Sequence, residues 1–361
     1  MKILFLPKHE YMGASSRYRT LQYLPYIEEN NMDFDVSPLF SDEYLKFKYK
    51  HGKENKIITF KRILNRIQTI LFKASTYDVL VIEKELIPYF PAILEWYLKL
   101  KKIPYIVDYD DAVWHNYDLH RKSIVKFLFK NKIRYVIKNA QCIVTGSEYI
   151  VDYAKYANAR NIVKIPTVID LEKYICTDIE NKDKFIVGWI GSPSSSKYIL
   201  ELNTVLKEFT DKYNATVHLV GFDKKLSSQL LFNNKIIDWT EESEVKEINY
   251  FDVGIMPLPD TPFERGKCGF KLIQYMGCKK PVIATPVGEN KIIVESNING
   301  FLANNDKEWL IALEKLYKSK ELCRSMGENA YIKINNFYSL DIVKNKYINT
   351  IKEIHENIND M

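Results

Sequence analysis

Short apolar runs alternate with helical patterns along almost the whole chain, and no other feature limits its fold so sharply. Ile3–Leu6, Val79–Ile82, Tyr105–Val107 and Cys142–Thr145 read as buried strands, with helices at Arg17–Glu28, Ala92–Lys101 and Arg121–Lys138 between them. Strands that are apolar throughout must be covered on both faces, which a parallel sheet with crossover helices achieves. From Pro166 to Lys184 the text turns polar and irregular, and then the alternation restarts. Phe185–Ile190, Thr216–Val220, Val253–Met256 and Pro281–Ala284 read as strands, and Lys197–Tyr213 and Phe270–Met276 as helices. Three helical patterns follow, from Asp306, Glu321 and Leu340. The expected fold class is α/β: two Rossmann-like, doubly wound units, 1–166 and 185–338, joined by a crossover at 167–184. The last stretch, 339–361, is expected to be a helix packing back towards the first unit. Two such units facing each other across a cleft would hold a ligand at the C-terminal ends of their strands.

The length of 361 residues suits two cores of roughly 150 to 200 residues each. The five cysteines (Cys142, Cys176, Cys268, Cys278, Cys323) are irregularly spaced and form no CxxC pair. That pattern excludes a disulfide framework and a structural zinc site, and points to a reducing, cytoplasmic compartment. The start, MKILFLPKHE, reads as a buried strand rather than a secretion signal. The net charge of +6 is uneven: residues 1–175 hold 28 Lys+Arg against 20 Asp+Glu, a net of +8, and the remainder a net of −2. Within the first half, 43–73 carries nine basic residues and two Glu, and 119–138 carries seven basic residues and no acid, both interleaved with large apolar side chains. Such faces suit an anionic membrane surface. No nucleic-acid module accompanies the charge, so nucleic acid is not the expected partner.

The most informative stretch is PFERGKCGFKLIQYMGCKKPVIATPVGEN, 262–290. If Lys267 begins a helix, then Lys267, Lys271 and Gln274 share one face. Gly269 would let a ligand approach the backbone, and the helix start adds positive potential, together a cradle for a diphosphate. The stretch resembles the donor-site signature of glycosyltransferase family 4, whose members have the GT-B fold. Gln274-Tyr275-Met276 followed by Lys280-Pro281-Val282-Ile283-Ala284 fits the later half of that signature, but its two glutamates are replaced by Gly266 and Gln274. A second likeness lies in GWIGSPSSSKY, 188–198, which keeps Gly191 and Lys197 and places Ser192 where the family has a diphosphate-binding Arg. The resemblance implies that Gly191, Ser192, Lys197, Lys267, Gly269, Lys271 and Gln274 bind the donor, the lysines making good the missing Arg. Glu289 and Asn290, in the loop after the 281–284 strand, are candidates for sugar hydroxyl contacts.

In the first half, MGASSRYR, 12–19, opens a helix after the first strand. The family's corresponding loop lies near the donor diphosphate and acceptor, which nominates Gly13, Arg17 and Arg19. Ser15 or Ser16 would serve as an N-cap. Because Arg17 and Arg19 stand two apart on a helix, only one can face the site squarely. Asp108-Tyr109-Asp110-Asp111 ends a strand, and Asp108-x-Asp110 matches a metal-binding DxD pattern. The GT-B resemblance favours the other reading, in which Asp110 and Asp111 act on the sugar or acceptor and no metal cofactor is required. Glu83 and Glu85 flank Lys84 at another strand end and are candidate acceptor ligands, or else a salt-bridged strand end. The resemblance implies a retaining glycosyltransferase using a nucleoside diphosphate sugar, and the expected acceptor is a lipid-linked glycan, in polysaccharide synthesis at the cytoplasmic membrane face. Lys197, Lys271, Asp110 and Asp111 are its catalytic candidates. An epimerase acting on nucleotide sugars and a non-catalytic nucleotide-sugar-binding protein are the alternatives.

Overall fold

The computed structural model describes residues 1–177, 179 and 182–359. Residues 178, 180 and 181 of the expected crossover, and 360 and 361 of the expected last helix, lie outside the described residues. The chain divides into two compact units. The first comprises Met1–Thr167, Gly266–Cys268 and Val343–Met361; the second comprises Val168–Arg265 and Gly269–Ile342.

The first unit is built on six parallel strands: β1 (Lys2–Leu6), β2 (Asp33–Val36), β3 (Val79–Glu83), β4 (Tyr105–Tyr109), β5 (Cys142–Thr145) and β6 (Ile162–Lys164). Their order is β2-β1-β3-β4-β5-β6. The chain goes from β1 outwards to β2, then crosses back to β3 and runs on in the other direction. The order therefore reverses between β1 and β3, and the crevice above their C-terminal ends is where an open α/β sheet binds ligands. β3 and β4 are buried along their whole length, as central strands covered on both faces must be. From β2 onwards every crossover proceeds in the same direction, and right-handed connection sets these helices on one face. Their apolar stripes (Ile70, Leu94, Leu98, Ile133, Val136, Ile137, Ile150, Ala154) pack with Leu80, Ile82 and Val107 into one core. Burying each such side chain contributes on the order of 1.5 to 3 kcal/mol.

The second unit repeats the plan with β7 (Phe185–Ile190), β8 (Ala215–Val220), β9 (Asn234–Ile237), β10 (Val253–Met256), β11 (Val282–Ala284) and β12 (Gly300–Leu302), all parallel. The order is β12-β11-β10-β7-β8-β9, so the reversal falls between β7 and β10. Gly188 and Gly254 pair across that junction, and each is kept side-chain-free by a ring: a Cβ would lie 2.0 Å from Phe251 at the first and 2.3 Å from Tyr275 at the second.

Several helices break where the sequence reads as continuous. Arg17–Glu28 is Ala14–Arg19, a 3-10 turn and Leu24–Glu29, interrupted at Thr20, whose backbone leaves the helical region, with Pro25 opening the last piece. Arg121–Lys138 is two helices, Ser123–Phe129 and Lys132–Asn139, and Lys197–Tyr213 is also two, Lys197–Leu200 and Asn203–Lys212.

Candidate functional site

At the β7 end of the second unit the chain turns sharply at Gly191. A Cβ there would lie 2.5 Å from the Trp189 ring and 2.7 Å from the Ser195 hydroxyl. The turn is closed locally, with Ser195 N–H donating to the Ser192 carbonyl (2.9 Å) and Ser192 N–H to the Ser195 hydroxyl (3.2 Å). Lys197 follows on a short helix, exposed, with its ammonium 5.0 Å from the Tyr198 ring. Lys271 comes to the same place from another element, its Nζ 5.9 Å from the ring of the buried Trp189. A glycine turn and Lys271 therefore meet at Trp189, at the reversal point of the sheet, with Lys197 on the short helix that follows the turn, an arrangement suited to a diphosphate.

The helix carrying Lys271 starts at Phe270, because Gly269 precedes it in the left-handed region at φ 67°, where a Cβ would also lie 2.3 Å from Ile293. Lys267 is thus not on the helix, and the expected shared face of Lys267, Lys271 and Gln274 reduces to Lys271 and Gln274. Lys267 belongs with the first unit, its Nζ 3.8 Å from the Asp111 carboxylate. Gly266 lies against Ala112, whose Cβ would be 2.4 Å from a Cβ at 266, so a glutamate has no room there. Glu264 turns inwards and accepts from Tyr198 (2.6 Å) and Thr261.

Gln274 is buried, and its amide donates to Glu244 Oε1 (2.6 Å) and the Tyr174 hydroxyl (2.9 Å). Glu244 also accepts from Tyr174 (2.7 Å) and Trp239 Nε1 (2.8 Å). This network, invisible in the sequence because its members lie 30 to 100 residues from Gln274, explains the departure at 274: a glutamate there would confront Glu244. What Gln274 leaves for a ligand is its carbonyl oxygen. Glu289 and Asn290 are buried too; Asn290 donates to the Thr285 carbonyl (3.0 Å), and its Oδ1 is buried with no hydrogen-bond partner among the described residues.

In the first unit the ends of β1, β3 and β4 meet in a dense charge cluster. Asp108 is 2% exposed and is held by Arg19 through Nε (3.0 Å) and Nη2 (2.6 Å), while Nη1 donates to the Ile165 carbonyl (2.7 Å). Burial alone would lower the Arg19 pKa, but Asp108 more than offsets it and the guanidinium stays charged. Arg19 is therefore a structural residue rather than an acceptor ligand, and Asp108 is unavailable as half of a DxD metal site. Arg17 is buried and donates to the Tyr11 carbonyl (3.0 Å), bracing the loop in which a Cβ at Gly13 would lie 2.3 Å from His9 Cβ. Glu83 accepts from the Ser16 hydroxyl (2.6 Å) and Lys8 N–H (3.0 Å). Glu85 accepts from Tyr117 (2.6 Å) and from Lys132. Both glutamates face inwards, and Glu85 with Lys132 forms the salt-bridged strand end rather than an acceptor contact. Ser15 and Ser16 do not cap the helix, whose N-cap is Gly13; they bond to β3-end side chains instead.

Asp110 and Asp111 converge on Lys84, a residue the sequence reading passed over. Its Nζ lies 2.8 Å from Asp110 Oδ1 and 3.0 Å from Asp111 Oδ2 and donates to the Ser15 hydroxyl (3.2 Å). Burial pushes the Asp111 carboxyl up, but Lys84, Lys267 and Lys8 outweigh it and hold the group well below the usual carboxylate range. Asp111 keeps about a quarter of its side chain exposed (27%), so an ionised carboxylate is presented at the β1/β3 crevice. Among the described residues no group of three or more His, Cys, Asp or Glu side chains is set to hold a metal ion.

Replacing Gln274 by Glu tests the internal network. Two buried carboxylates within hydrogen-bond reach share a proton, so the folded-state pKa of the pair rises above the unfolded value. The variant is expected to lose on the order of 1 to 3 kcal/mol, less at low pH where the pair is protonated, and more as pH rises through the raised pKa. Chemical denaturation at pH 5 and pH 8 reads this; equal losses at both would refute the carboxylate clash.

Residues 184–319 match the family described as Glycosyl transferases group 1. That stretch contains the Gly191 turn, Lys197, Lys271, Gln274 and the 285–290 loop. TuaH of Bacillus subtilis (strain 168), named as a putative teichuronic acid biosynthesis glycosyltransferase, is 23% identical over 167 residues, which are 42% of this chain and 41% of that protein. Sucrose-phosphate synthase of Thermosynechococcus elongatus is 13% identical, with a TM-score of 0.73 over 99% of this chain and 100% of its own. HepE of Anabaena, solved in complex with UDP-glucose, is 16% identical, with a TM-score of 0.71 over 100% of both chains. A glycosyltransferase of Rickettsia africae is 16% identical, with a TM-score of 0.69 over 99% of each. The second unit thus carries a stretch similar to the glycosyl transferases of group 1, and the chain has the GT-B fold.

Proposed function

We propose that the protein is a retaining glycosyltransferase moving a sugar from a nucleoside diphosphate sugar to a lipid-linked glycan acceptor in cell-surface polysaccharide synthesis. The observation that carries this reading is the meeting of the Gly191 turn and Lys271 at Trp189, inside the stretch that matches the family. The Anabaena structure in complex with UDP-glucose supports the donor class, and the name of the Bacillus relative supports the polymer context. In the reaction, the bond from the anomeric carbon to the diphosphate breaks and one to the acceptor oxygen forms on the same face. The acceptor proton passes to the departing phosphate oxygen, so no protein base is needed. Lys271, Lys197 and the backbone of the Gly191 turn meet the charge developing on the diphosphate. Asp110 and Asp111 bind and orient the acceptor hydroxyl. With lysines in that role, turnover is expected to survive a chelator.

The membrane part of the proposal rests on the first unit. The helix Lys56–Phe72 buries Arg66 and Ile70 but turns Ile57, Phe60, Leu64 and Phe72 to solvent; Trp96 and Leu100, and Ile124, Phe127 and Leu128, are exposed on later crossovers. Lys53, Lys56, Lys61, Arg121, Lys122, Lys126 and Lys130 are interleaved with them. An apolar rim with cations beside it fits the headgroup boundary of an anionic bilayer. No helix among the described residues is long and apolar enough to cross a membrane.

Incubation with a panel of nucleotide sugars and a membrane lipid extract, with chelator present, tests the activity. Transfer with retained anomeric configuration is expected. Release of a free, altered sugar would identify an epimerase instead, and binding without turnover would remove the transferase claim. Lys271→Ala should weaken nucleotide diphosphate binding by about tenfold or more, the scale of a lost charge-assisted hydrogen bond; unchanged affinity by calorimetry would take Lys271 out of the donor site.

For the surface, co-sedimentation is expected with vesicles containing anionic lipid and not with zwitterionic ones. It should fall with salt and be abolished by Phe60→Asp with Phe127→Asp. Equal binding to both vesicle types would contradict the charge argument.

A further inference from the structure

Lys84 combines three features rarely found together. It is 6% exposed, its backbone stands in the left-handed region at φ 64°, and its side chain carries a full charge. A non-glycine residue in that conformation is uncommon and must be held there by its surroundings. Here the hold is explicit. Lys84 N–H donates to the Asp108 carbonyl (2.8 Å), and its Nζ is seated among oxygens of Ser15, Asp110 and Asp111, at 3.2, 2.8 and 3.0 Å. Those three residues come from the first turn of the helix after β1 and the loop after β4, so one ammonium fixes a helix start and a loop against the end of β3.

We propose that Lys84 is a positioning residue for glycosyl transfer, its ammonium holding the Asp110 and Asp111 carboxylates and the Ser15 hydroxyl in one constellation. The inference rests on the transferase reading given above. Two adjacent carboxylates with little solvent repel each other, and one of them takes up a proton unless a cation lies between them. The charged and titratable groups facing the pair are Lys8 from the loop after β1, Glu83 and Lys84 from β3, Asp108 with its partner Arg19, and Lys267 and Cys268 from the 266–268 segment. Lys84 touches both carboxylates. Lys267, at 3.8 Å, reaches Asp111, and Arg19 is bound to Asp108. The ammonium is also the link between this pair and the helix start at Gly13–Ser16.

The test uses the full chain with Lys84→Met, Asp111→Asn and the double variant, each checked for folding by circular dichroism. Lys84→Met should lower kcat about 100-fold at neutral pH, the scale of a misplaced reacting group, with donor KM within about threefold. The acid limb of its kcat profile should move up by about one pH unit or more, because the required carboxylate now protonates more readily. Adding Asp111→Asn should cost little further, as for residues acting as a unit. Multiplying losses, an unmoved acid limb or a change in KM alone would overturn the proposal. If Lys84→Met does not fold, Ser15→Ala replaces it, with a several-fold loss in kcat expected and an unchanged kcat overturning the constellation. Carboxyl-carbon NMR of the substrate-free wild type and Lys84→Met decides the charge question separately. The Asp111 signal should titrate at higher pH in the variant, and coincident titrations would refute the role of Lys84 whether or not transfer is ever detected.

Discussion

The carboxylate of Asp108 stands one residue before the end of β4, a strand buried along its whole length, where an unpaired charge would not be tolerated. Arg19 makes its burial permissible, and in doing so it fixes the geometry around it. Removing one partner of such a pair costs roughly 3 to 5 kcal/mol, although the intact pair is worth far less against apolar packing. Its importance is therefore one of position. Arg19 ends the helix that begins at Gly13, grips the end of β4 and reaches the carbonyl of Ile165 beyond β6. The loop after β1 and the aspartates after β4 are thereby brought to a common origin. Every group in the neighbouring cluster, from Ser16 on Glu83 to Lys84 on Asp110 and Asp111, depends on that origin being fixed.

A parallel sheet imposes the second constraint. All its carboxyl ends point the same way, so whatever chemistry the chain carries collects on one edge, and the reversals between β1 and β3 and between β7 and β10 decide where along it. The Gly191 turn and Lys271 are far apart in sequence yet adjacent because Trp189, on the last turn of β7, offers its ring to both. The residues of this corner are small or buried for steric reasons. Gly191 yields to Trp189, Gly188 to Phe251 and Gly254 to Tyr275, and the space they leave is taken by those three rings.

Both sheets were legible in the sequence as far as their central strands, which are continuous apolar runs. The four strands that were not legible are β2, β6, β9 and β12, the edges of the two sheets. DFDV alternates between exposed and half-buried positions, NKII is half-buried except at Lys235, IVK is half-buried throughout and GFL is three residues long. An edge strand buries too little to need an apolar run, so periodicity cannot reveal it. The same limit applies to the candidate site. The glycines and lysines of the second unit could be read because their spacing along the chain is local. Lys267 was misread because Gly269 sets the helix start at Phe270, three residues beyond it. The inward turn of Glu83 and Glu85 was not visible because their partners, Ser16 and Lys132, lie 67 and 47 residues away, and Lys84 was passed over because nothing in its neighbours announces a left-handed backbone.

The uneven charge of the chain can now be divided between core and surface. Of the 28 basic residues in positions 1–175, five are buried (Arg17, Arg19, Arg66, Lys84 and Lys132), and of the 20 acidic residues four are buried (Glu83, Glu85, Glu95 and Asp108). Folding therefore withdraws only one unit of the excess, and +7 of the +8 remains outside the core. Much of that remainder stands on the helices that also expose Phe60, Phe72, Ile124 and Phe127. A surface evolved only for solubility would place its cations among polar neighbours. Apolar side chains at solvent beside cations supply the two terms on which the proposed membrane docking rests: area removed from water and attraction to anionic headgroups.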